Sequence, residues 1–223
     1  MRPTVNVLYL PGTNCHAETI RAFSAAGGKV QLIFLSDVLA GCSRLDSADI
    51  LCIPGGFSFG DHAGAGAVAG LLLTTRLRAQ FLACLRRPTI CICNGFQIAV
   101  RAGCFGSGLA LKANRCGTFV DVPHQLHTVV EDNDSLWLRG LGGSTLAFPC
   151  AHGEGRFLYN CAGNWSPALV YPADQNPDGS MDDIGGVTTR DGLVFGLMDH
   201  PERAQDQQVR LAFIENGLHA VSG

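Results

Sequence analysis

One cysteine and two histidine–glutamate pairs have the residue types and spacing that covalent chemistry requires. Cys93 lies between the apolar run 89–92 and a segment of helical composition that begins at Gln97. This order of strand, thiol and helix predicts a nucleophile elbow, with the next backbone amide at a helix N-terminus where it can stabilise an oxyanion. The pattern suits acyl transfer at Cys93, and it suits a buried structural cysteine at a strand end about equally well.

A thiol nucleophile needs a base to hold its proton and an acid to orient that base. His200 and Glu202 are separated by Pro201, which stiffens the segment and restrains His200 to extended geometry. Residues two apart in an extended segment face the same side. We therefore predict that His200 and Glu202 form a preset pair that serves Cys93.

A second pair, His152 and Glu154, is separated by Gly153. The glycine makes this pair more pliable, which favours a loop that lines a substrate pocket. The other histidines have no acidic residue at this spacing, and each is more often a surface or core residue than a catalyst. These are His16, His62, His124, His127 and His219.

A glycine-rich loop at 55–60 follows the apolar run 50–53. It lacks both the Gly-X-Gly-X-X-Gly spacing and a Walker lysine, so the sequence gives no support for a phosphate site. Two consecutive glycines can turn backbone amides toward a neighbouring site, which predicts a second oxyanion donor in this loop beside that of Asn94. The alternative is a plain turn.

The elements that must position these residues alternate between strand and helix in the first half of the chain. This alternation predicts a parallel sheet whose ligands bind at the carboxyl ends of the strands, where the 55–60 loop and Cys93 both lie. The predicted strands are 5–10, 30–35, 50–53 and 89–92. The predicted helices are a first one that Thr13 or Asn14 can cap and that extends to Ala26, then 71–85 and 97–102, with Gly103 as the C-cap of the last.

The second half predicts shorter strands with some antiparallel pairing, because glycines and polar residues separate the apolar runs. The predicted strands are 118–122, 127–131, 145–149, 168–171, 184–189 and 194–198. An amphipathic helix is predicted at 206–216. The whole pattern predicts an α/β protein with a central, mostly parallel sheet, helices on both faces and a single domain at 1–223.

The bulk composition excludes several classes of function. Of 223 residues, 47% are hydrophobic and 16% are charged, which suits a sheet covered on both faces. The net charge of −3 and the absence of a Lys/Arg run exclude a nucleic-acid footprint. The apolar stretches are too short to span a bilayer, and residues 1–10 carry no cleavage-site pattern. We expect a cytoplasmic protein that binds neither nucleic acid nor membrane.

The ten cysteines do not indicate a disulfide framework, because the chain is neither small nor visibly secreted. It contains no Cys-X-X-Cys pair, and Cys91 and Cys93 are expected on one strand face, so the spacing predicts no metal site. Most of the other cysteines are interpreted as small hydrophobic residues. These are Cys42, Cys52, Cys84, Cys104, Cys116, Cys150 and Cys161.

Four sequence blocks, in order and at consistent separations, resemble one known family. Together they are similar to the glutaminase subunit of phosphoribosylformylglycinamidine synthase, a class I (triad-type) glutamine amidotransferase. The resemblance spans nearly the full chain and includes the N-terminal loop 12–15. The four blocks are 55–61 (GGFSFGD), 93–97 (CNGFQ), 152–155 (HGEG) and 198–203 (MDHPER).

The resemblance implies a flavodoxin-like amidotransferase fold and a role for each candidate residue. It implies that Cys93 is the nucleophile, His200 its base and Glu202 the orienting acid. The reaction would be hydrolysis of the glutamine side-chain amide through a thioester, giving glutamate and ammonia. The implied oxyanion and glutamine-binding residues are Gly56, Phe57, Asn94, Gln97, His152 and Glu154.

The resemblance also implies partners. The ammonia would pass to a separate synthetase subunit that uses ATP to convert formylglycinamide ribonucleotide to formylglycinamidine ribonucleotide, often with a small bridging subunit. No cofactor is expected in this chain, and ATP and Mg²⁺ are expected on the synthetase.

Two loops depart from the family pattern. The family usually reads Gly-Asp-Tyr-Leu-Arg where this chain has residues 60–64 (GDHAG), and His16 stands where an aspartate is common. These changes leave open a glutaminase that serves a different synthetase. A Cys-dependent hydrolase of the DJ-1/PfpI superfamily is another alternative, although Phe96 and Gln97 after the elbow favour glutamine. A catalytically silent, amidotransferase-like binding subunit is a third, and the intact triad argues against it.

Overall fold

The computed structural model of the chain describes residues 1–161 and 163–222. Strands and helices alternate along the first half, and strands dominate the second. In chain order the elements are β1 (Thr4–Tyr9), α1 (His16–Ala25), β2 (Lys29–Phe34), α2 (Leu35–Leu39), β3 (Ile50–Ile53), α3 (Ala67–Thr75), α4 (Arg78–Cys84), β4 (Thr89–Ile92), α5 (Asn94–Arg101), β5 (Leu109–Lys112), β6 (Val120–Val129), β7 (Thr145–His152), β8 (Arg156–Tyr159), β9 (Ser166–Val170), β10 (Ile184–Thr188), β11 (Val194–Leu197) and α6 (Gln207–His219).

A mixed sheet with the strand order β2-β1-β3-β4-β11-β10-β9-β6-β7 forms the centre of the protein. The pairs from β2 to β11 are parallel, and the pairs from β11 to β7 are antiparallel. Because direction alternates in the second part, β9 and β7 again point the same way as the parallel strands. Most strands therefore share one direction, which confirms the predicted fold class. β5 and β8 form a separate antiparallel pair.

Helices cover both faces of the sheet. Every residue of β3, β4 and β11 is buried, as expected for parallel strands covered on both sides. Phe195 and Gly196 are consecutive in β11 and so face opposite sides. The Phe195 ring lies 5.4 Å from that of Phe213 in α6, whereas a Cβ at Gly196 would collide with Phe96 in α5. Thus α5 and α6 lie on opposite faces.

The start of α1 differs from the prediction. Its N-cap is Cys15, and no side chain caps it by a hydrogen bond. The Thr13 hydroxyl instead accepts a hydrogen bond from the Leu10 amide at 3.0 Å, and Asn14 accepts one from the Cys15 thiol at 3.1 Å. Predicting Thr13 or Asn14 as the cap was wrong because both side chains stabilise the loop before the helix.

Two further segments and three short elements differ from the prediction. The helix predicted at 71–85 is two helices, α3 and α4, interrupted where Leu77 leaves helical geometry with ψ 17°. The strands predicted at 118–122 and 127–131 are one strand, β6, whose register with β7 shifts between Val122 and Gln125. Pro123 lies at this shift, and proline cannot donate a ladder hydrogen bond. The short elements α2, β5 and β8 were not predicted.

All ten cysteines are free thiols. Cys42, Cys116 and Cys161 are exposed, so interpreting them as small hydrophobic residues was wrong, whereas Cys52, Cys84, Cys104 and Cys150 are buried as that interpretation requires. Among the residues that the structure describes, no helix is both long enough and apolar enough to traverse a membrane. The single domain at 1–223 stays a prediction.

Candidate active site

The backbone turns sharply at Cys93, between β4 and α5, with φ 52° and ψ −111°. A non-glycine residue in such a conformation costs about 1–3 kcal/mol, and surrounding contacts must hold it. The Cys93 amide donates to the Leu197 carbonyl of β11 at 2.8 Å. Gly95 must follow closely, because a Cβ there would collide with the Ile53 carbonyl. This is the predicted elbow, and it takes Cys93 out of the strand that carries Cys91.

Backbone amides near the Cys93 thiol are available for an oxyanion. The amides of Asn94 and Gly95 begin α5, where N–H groups have no partner within the helix. In the glycine loop, the Phe57 amide donates to the Gly12 carbonyl at 3.0 Å. Among the described residues the Gly56 amide donates to no acceptor. Of the Gly56 and Phe57 amides, that of Gly56 is therefore the one available to an oxyanion.

His200 and Glu202 form a buried pair. The His200 Nδ1 lies 2.7 Å from the Glu202 Oε1, and both side chains are at most 2% exposed. The segment is not extended as predicted, because Pro201–Arg203 forms a short 3-10 helix, which the fixed φ of proline favours at a first helical position. Burial disfavours the imidazolium, but the charges of Glu202 and of the Cys93 thiolate outweigh burial and raise the pKa of His200 well above its ordinary value.

Gly55 is the point on which the reactive side chains converge. A Cβ at Gly55 would lie 2.8 Å from the His200 Cε1, 3.0 Å from the Cys15 Sγ and 3.2 Å from the Cys93 Cβ. Any larger residue would therefore separate the thiol from the imidazole. The first glycine of the loop has a packing role beside the pair of thiols.

Cys15 and Arg203 belong to the site but were not predicted as site residues. The Arg203 guanidinium donates to the Cys15 Sγ at 3.1 Å and to the Glu18 carboxylate at 2.9 Å. Burial raises the pKa of the Cys15 thiol, although a hydrogen bond with His200 opposes that shift. Nothing in the local spacing could indicate this contact, because Cys15 and Arg203 are 188 residues apart.

The Asn94 side chain joins three segments around the pocket. Its Oδ1 accepts from the Ser58 amide of the glycine loop at 3.0 Å, and its Nδ2 donates to the Gln97 Oε1 at 2.9 Å. The Gln97 Nε2 in turn donates to the Glu154 carbonyl at 2.9 Å. Asn94 and Gln97 therefore fix the glycine loop, α5 and the 152–154 loop relative to one another.

A pocket of about 230 Å³ opens over Cys93. Most of the residues predicted for the site line it, whereas Asn94 and Glu202 lie behind the wall and support it. The predicted residues on the wall are Gly56, Phe57, Cys93, Gln97, His152, Glu154 and His200. The wall residues that were not predicted as site residues include Asn14, Cys15, Asp61, Phe119 and Arg203.

His152 has protein partners for both ring nitrogens. Its Nδ1 lies 3.3 Å from the Asn114 Oδ1 and its Nε2 lies 3.2 Å from the Cys150 Sγ. The backbone of the segment faces Cys93 instead, with the Ala151 carbonyl 3.8 Å from the Cys93 Sγ. The pocket wall here is therefore formed chiefly by backbone, and the His152 ring belongs to the cluster behind it.

Residues 2–216 match the sequence profile of a family described as a CobB/CobQ-like glutamine amidotransferase domain. The chain belongs to this family. Its membership explains why a thiol elbow and a His–Glu pair share one pocket, and it favours a glutamine amidotransferase over a DJ-1/PfpI hydrolase.

Relatives that match this amidotransferase over nearly their full length share one name. A subunit called phosphoribosylformylglycinamidine synthase subunit PurQ from Pyrococcus horikoshii is 33% identical, covering 95% of this chain and 92% of the relative. The subunit of the same name from Sulfurimonas denitrificans is 32% identical, covering 91% of each.

Solved structures resemble this amidotransferase as well. A chain of the structure titled PurLQS from Thermotoga maritima superposes with a TM-score of 0.82 at 30% identity, covering 99% of both chains. A glutamine amidotransferase from Thermotoga maritima gives a TM-score of 0.58 at 14% identity, covering 94% of this chain and 80% of the other. The second likeness concerns the fold alone.

Proposed function

We propose that the chain is the glutaminase subunit of phosphoribosylformylglycinamidine synthase. The observation that carries the proposal is that Cys93 and His200, whose ring Glu202 contacts, line one pocket, in a chain whose relatives over nearly its full length bear that name. The proposed substrate is glutamine, and the proposed products are glutamate and ammonia.

In the proposed mechanism the Cys93 thiolate attacks the side-chain amide carbon of glutamine. The backbone amides of Asn94 and Gly56 stabilise the oxyanion of the tetrahedral intermediate, because preorganised amides stabilise charge where it develops. When the carbon–nitrogen bond breaks, the leaving nitrogen takes a proton and departs as ammonia. A Cys93 thioester remains, and water hydrolyses it to glutamate.

His200 is the proposed acid for the leaving nitrogen and the base for the attacking water. Its raised pKa keeps the imidazolium populated beside the thiolate, so the proton is in place when ammonia departs. Glu202 orients the ring through its 2.7 Å contact with Nδ1, leaving Nε2 for the reaction.

The proposed acceptor of ammonia lies on another subunit. We propose that a synthetase subunit, with ATP and Mg²⁺ bound to it and a small bridging subunit beside it, uses the ammonia to convert formylglycinamide ribonucleotide to formylglycinamidine ribonucleotide. The assembly would work in the cytoplasm. Gly56, Phe57, Gln97, His152 and Glu154 are the proposed glutamine-pocket residues on this chain.

A glutaminase assay with and without the synthetase tests chemistry and partnership together. We expect slow glutamate release by the chain alone, faster release with the synthetase, ATP and formylglycinamide ribonucleotide, and none from Cys93→Ala. Cys42→Ala, which changes an exposed thiol, is the matched control and should behave as the wild type. Full glutaminase activity in Cys93→Ala would overturn the proposal.

Covalent labelling provides a second readout. The glutamine-mimicking electrophile 6-diazo-5-oxo-norleucine should modify Cys93 and block glutamate release. Suppose that the electrophile labels Cys93 and that the unlabelled chain releases glutamate, but that the synthetase and formylglycinamide ribonucleotide do not accelerate the release. The glutaminase then serves a different synthetase, and the assigned acceptor is wrong.

A further inference from the structure

A second thiol, imidazole and carboxylate lie together behind the pocket. Cys150 and His152 are two apart on β7 and share a face of the strand, and Asp199 follows β11. The Cys150 Sγ, the His152 Nε2 and an Asp199 oxygen all lie within 4.8 Å of one another. None of the three residues is more than 2% exposed.

Two carboxylate oxygens at this cluster have no hydrogen-bond partner among the described residues. The Asp199 Oδ2 lies 2.7 Å from the His127 Nε2, but the Asp199 Oδ1 is unpartnered and lies 3.6 Å from the His152 Nε2. The Asp178 Oδ1 accepts from Ser180, but the Asp178 Oδ2 is unpartnered and lies 3.8 Å from the same nitrogen. Buried, unpaired carboxylate oxygens are costly unless a cation is bound.

The surrounding residues leave the His152 Nε2 lone pair facing these oxygens. The Asn114 Nδ2 donates to the Thr118 carbonyl at 3.1 Å and to the His152 carbonyl at 2.8 Å. This fixes the Asn114 Oδ1 as the atom that accepts from the His152 Nδ1–H. With the proton on Nδ1, the Nε2 is available as a metal ligand, which is how a second partner commonly sets the tautomer of a ligating histidine.

We propose that Cys150, His152 and Asp199 form a binding site for a zinc ion, with Asp178 at its edge. Tetrahedral zinc sites with ordinary bond lengths place sulfur and nitrogen ligands about 3.6 Å apart, and nitrogen and oxygen ligands about 3.4 Å apart. The corresponding distances here are 3.2 Å from Cys150 Sγ to His152 Nε2 and 3.6 Å from that nitrogen to Asp199 Oδ1. One thiolate, one imidazole and one carboxylate suit Zn²⁺, whereas Mg²⁺ and Ca²⁺ prefer oxygen alone.

Zinc binding at this site exchanges one proton for the metal. The Cys150 S–H bond breaks, a sulfur–zinc bond forms and the proton leaves to solvent, as for any thiol ligand. The ion then joins the end of β7 to the residue after β11. Because Ala151 faces the Cys93 thiol and His200 follows Asp199, the metal would hold two walls of the pocket without touching the reacting atoms.

The full chain, unfolded and refolded with Co²⁺ after removal of metal by a chelator, tests the site directly. We expect one tightly held Co²⁺ per chain, an intense thiolate-to-metal charge-transfer band, and loss of that band when Zn²⁺ is added. A refolded chain that shows only the spectrum of free Co²⁺ would overturn the proposal. The readout is independent of glutamine hydrolysis, so a failed metal site leaves the proposed function standing.

Two variants locate the ion. Cys150→Ser should remove the charge-transfer band, and Cys15→Ser should retain it, although Cys15 belongs to the other group of thiol, imidazole and carboxylate atoms. Loss of the band in Cys15→Ser, with retention in Cys150→Ser, would place the ion at the triad and overturn the proposal.

X-ray absorption on the zinc-loaded wild type covers the case in which Cys150→Ser does not fold. We expect one sulfur neighbour at about 2.3 Å and lighter neighbours at about 2.0–2.2 Å. A spectrum without a sulfur neighbour contradicts the site.

Discussion

Two groups of cysteine, histidine and acid lie at the same edge of the sheet, yet they are built for different purposes. Cys93 sits on a strained elbow over an open pocket, with His200 and Glu202 behind it. Cys150 sits within a regular strand with no exposed surface. The same residue types become reactive in one place because the backbone turns the thiol toward a cavity and leaves amides available beside it.

The two groups also differ in the pKa shifts of their titratable side chains. In the first group, the charges of Glu202 and Cys93 outweigh burial and raise the pKa of His200, which favours the imidazolium. In the second, burial and then the Asp199 charge raise the pKa of the Cys150 thiol, so its proton is retained. The first group holds a proton on His200 that it can donate in a reaction. The second group keeps its thiol protonated until a metal ion replaces the proton.

The largest expected effect is the contrast between two serine substitutions. Cys93→Ser should lower kcat for glutamine hydrolysis by roughly 10⁴-fold or more, because it removes the nucleophile. Cys150→Ser should lower kcat less than about tenfold, because its side chain does not line the pocket. Steady-state glutamate release measures both, and equal losses would erase the distinction between the groups.

Next in size is the effect of Glu202→Gln. Loss of the orienting charge should lower kcat by roughly 10²–10⁴-fold, as for other triad acids. The negative charge of Glu202 helps raise the pKa of His200, so its removal lowers that pKa. The imidazolium that protonates ammonia is then lost at a lower pH.

A pH profile of kcat checks this, since its alkaline limb should move to lower pH in Glu202→Gln. Asp199→Asn is the comparison from the second group and should leave the limb where it is. A limb that moves in Asp199→Asn alone would mean that the second group governs the base.

A stability effect of intermediate size is expected at His127. His127→Leu leaves the buried Asp199 carboxylate without its 2.7 Å partner, and such a loss costs about 3–5 kcal/mol of unfolding free energy. Urea unfolding measures it, with His124→Leu as the matched control, because His124 is exposed on the same strand. A loss under about 1 kcal/mol would show that the pair is not a structural necessity.

The same variant has an expected pH dependence. Burial acts to raise the pKa of Asp199, but its hydrogen bond with His127 and the nearby His152 imidazole outweigh burial and lower it. A lowered folded pKa contributes stability that is complete above the unfolded value of about 4 and is lost as the pH falls below it. His127→Leu should therefore lose less stability than the wild type as the pH falls from about 4.

The smallest effect is expected at Glu18. The Arg203–Glu18 pair is partly exposed, with side-chain exposures of 34% and 19%, so Glu18→Gln should cost no more than about 1 kcal/mol of unfolding free energy. Thermal unfolding measures it. A tenfold fall in kcat at unchanged stability would instead show that the hydrogen-bonded series Glu18–Arg203–Cys15 influences the charges of the catalytic triad.

Local sequence patterns predicted the group of Cys93, His200 and Glu202. They did not predict the group of Cys150, His152 and Asp199, because its members come from segments far apart in the sequence. The elbow at Cys93 and the His200–Glu202 pair could be predicted because strand, turn, helix and two-residue spacing are all local. His127 and Asp199 are 72 residues apart, so their pairing depends on the tertiary fold and no local pattern could indicate it. Cys150 and His152 are close in sequence, but Asp199, which completes the proposed metal site, comes from a distant segment, so the spacing of the cysteines did not indicate that site.

The errors in the fold have a similar cause. Thr13 has the side chain of a helix cap, but it lies in a loop that bonds to the glycine loop through the Thr13–Gly56 bridge. The tertiary contact decided where α1 begins. β5 and β8 are short and pair with each other across 44 or more residues, so neither carried a periodic signal strong enough to predict.

The separation of exposed from buried thiols makes the chain suitable for selective fluorescent labelling. A hydrogen bond from the Thr118 hydroxyl lowers the pKa of the exposed Cys116 thiol, so among the exposed thiols a dye maleimide should attach there first as the pH is raised. A small glutamine-like electrophile can still enter the pocket and report on Cys93. One molecule can then carry a dye on its surface and a probe at its nucleophile, with no cysteine removed.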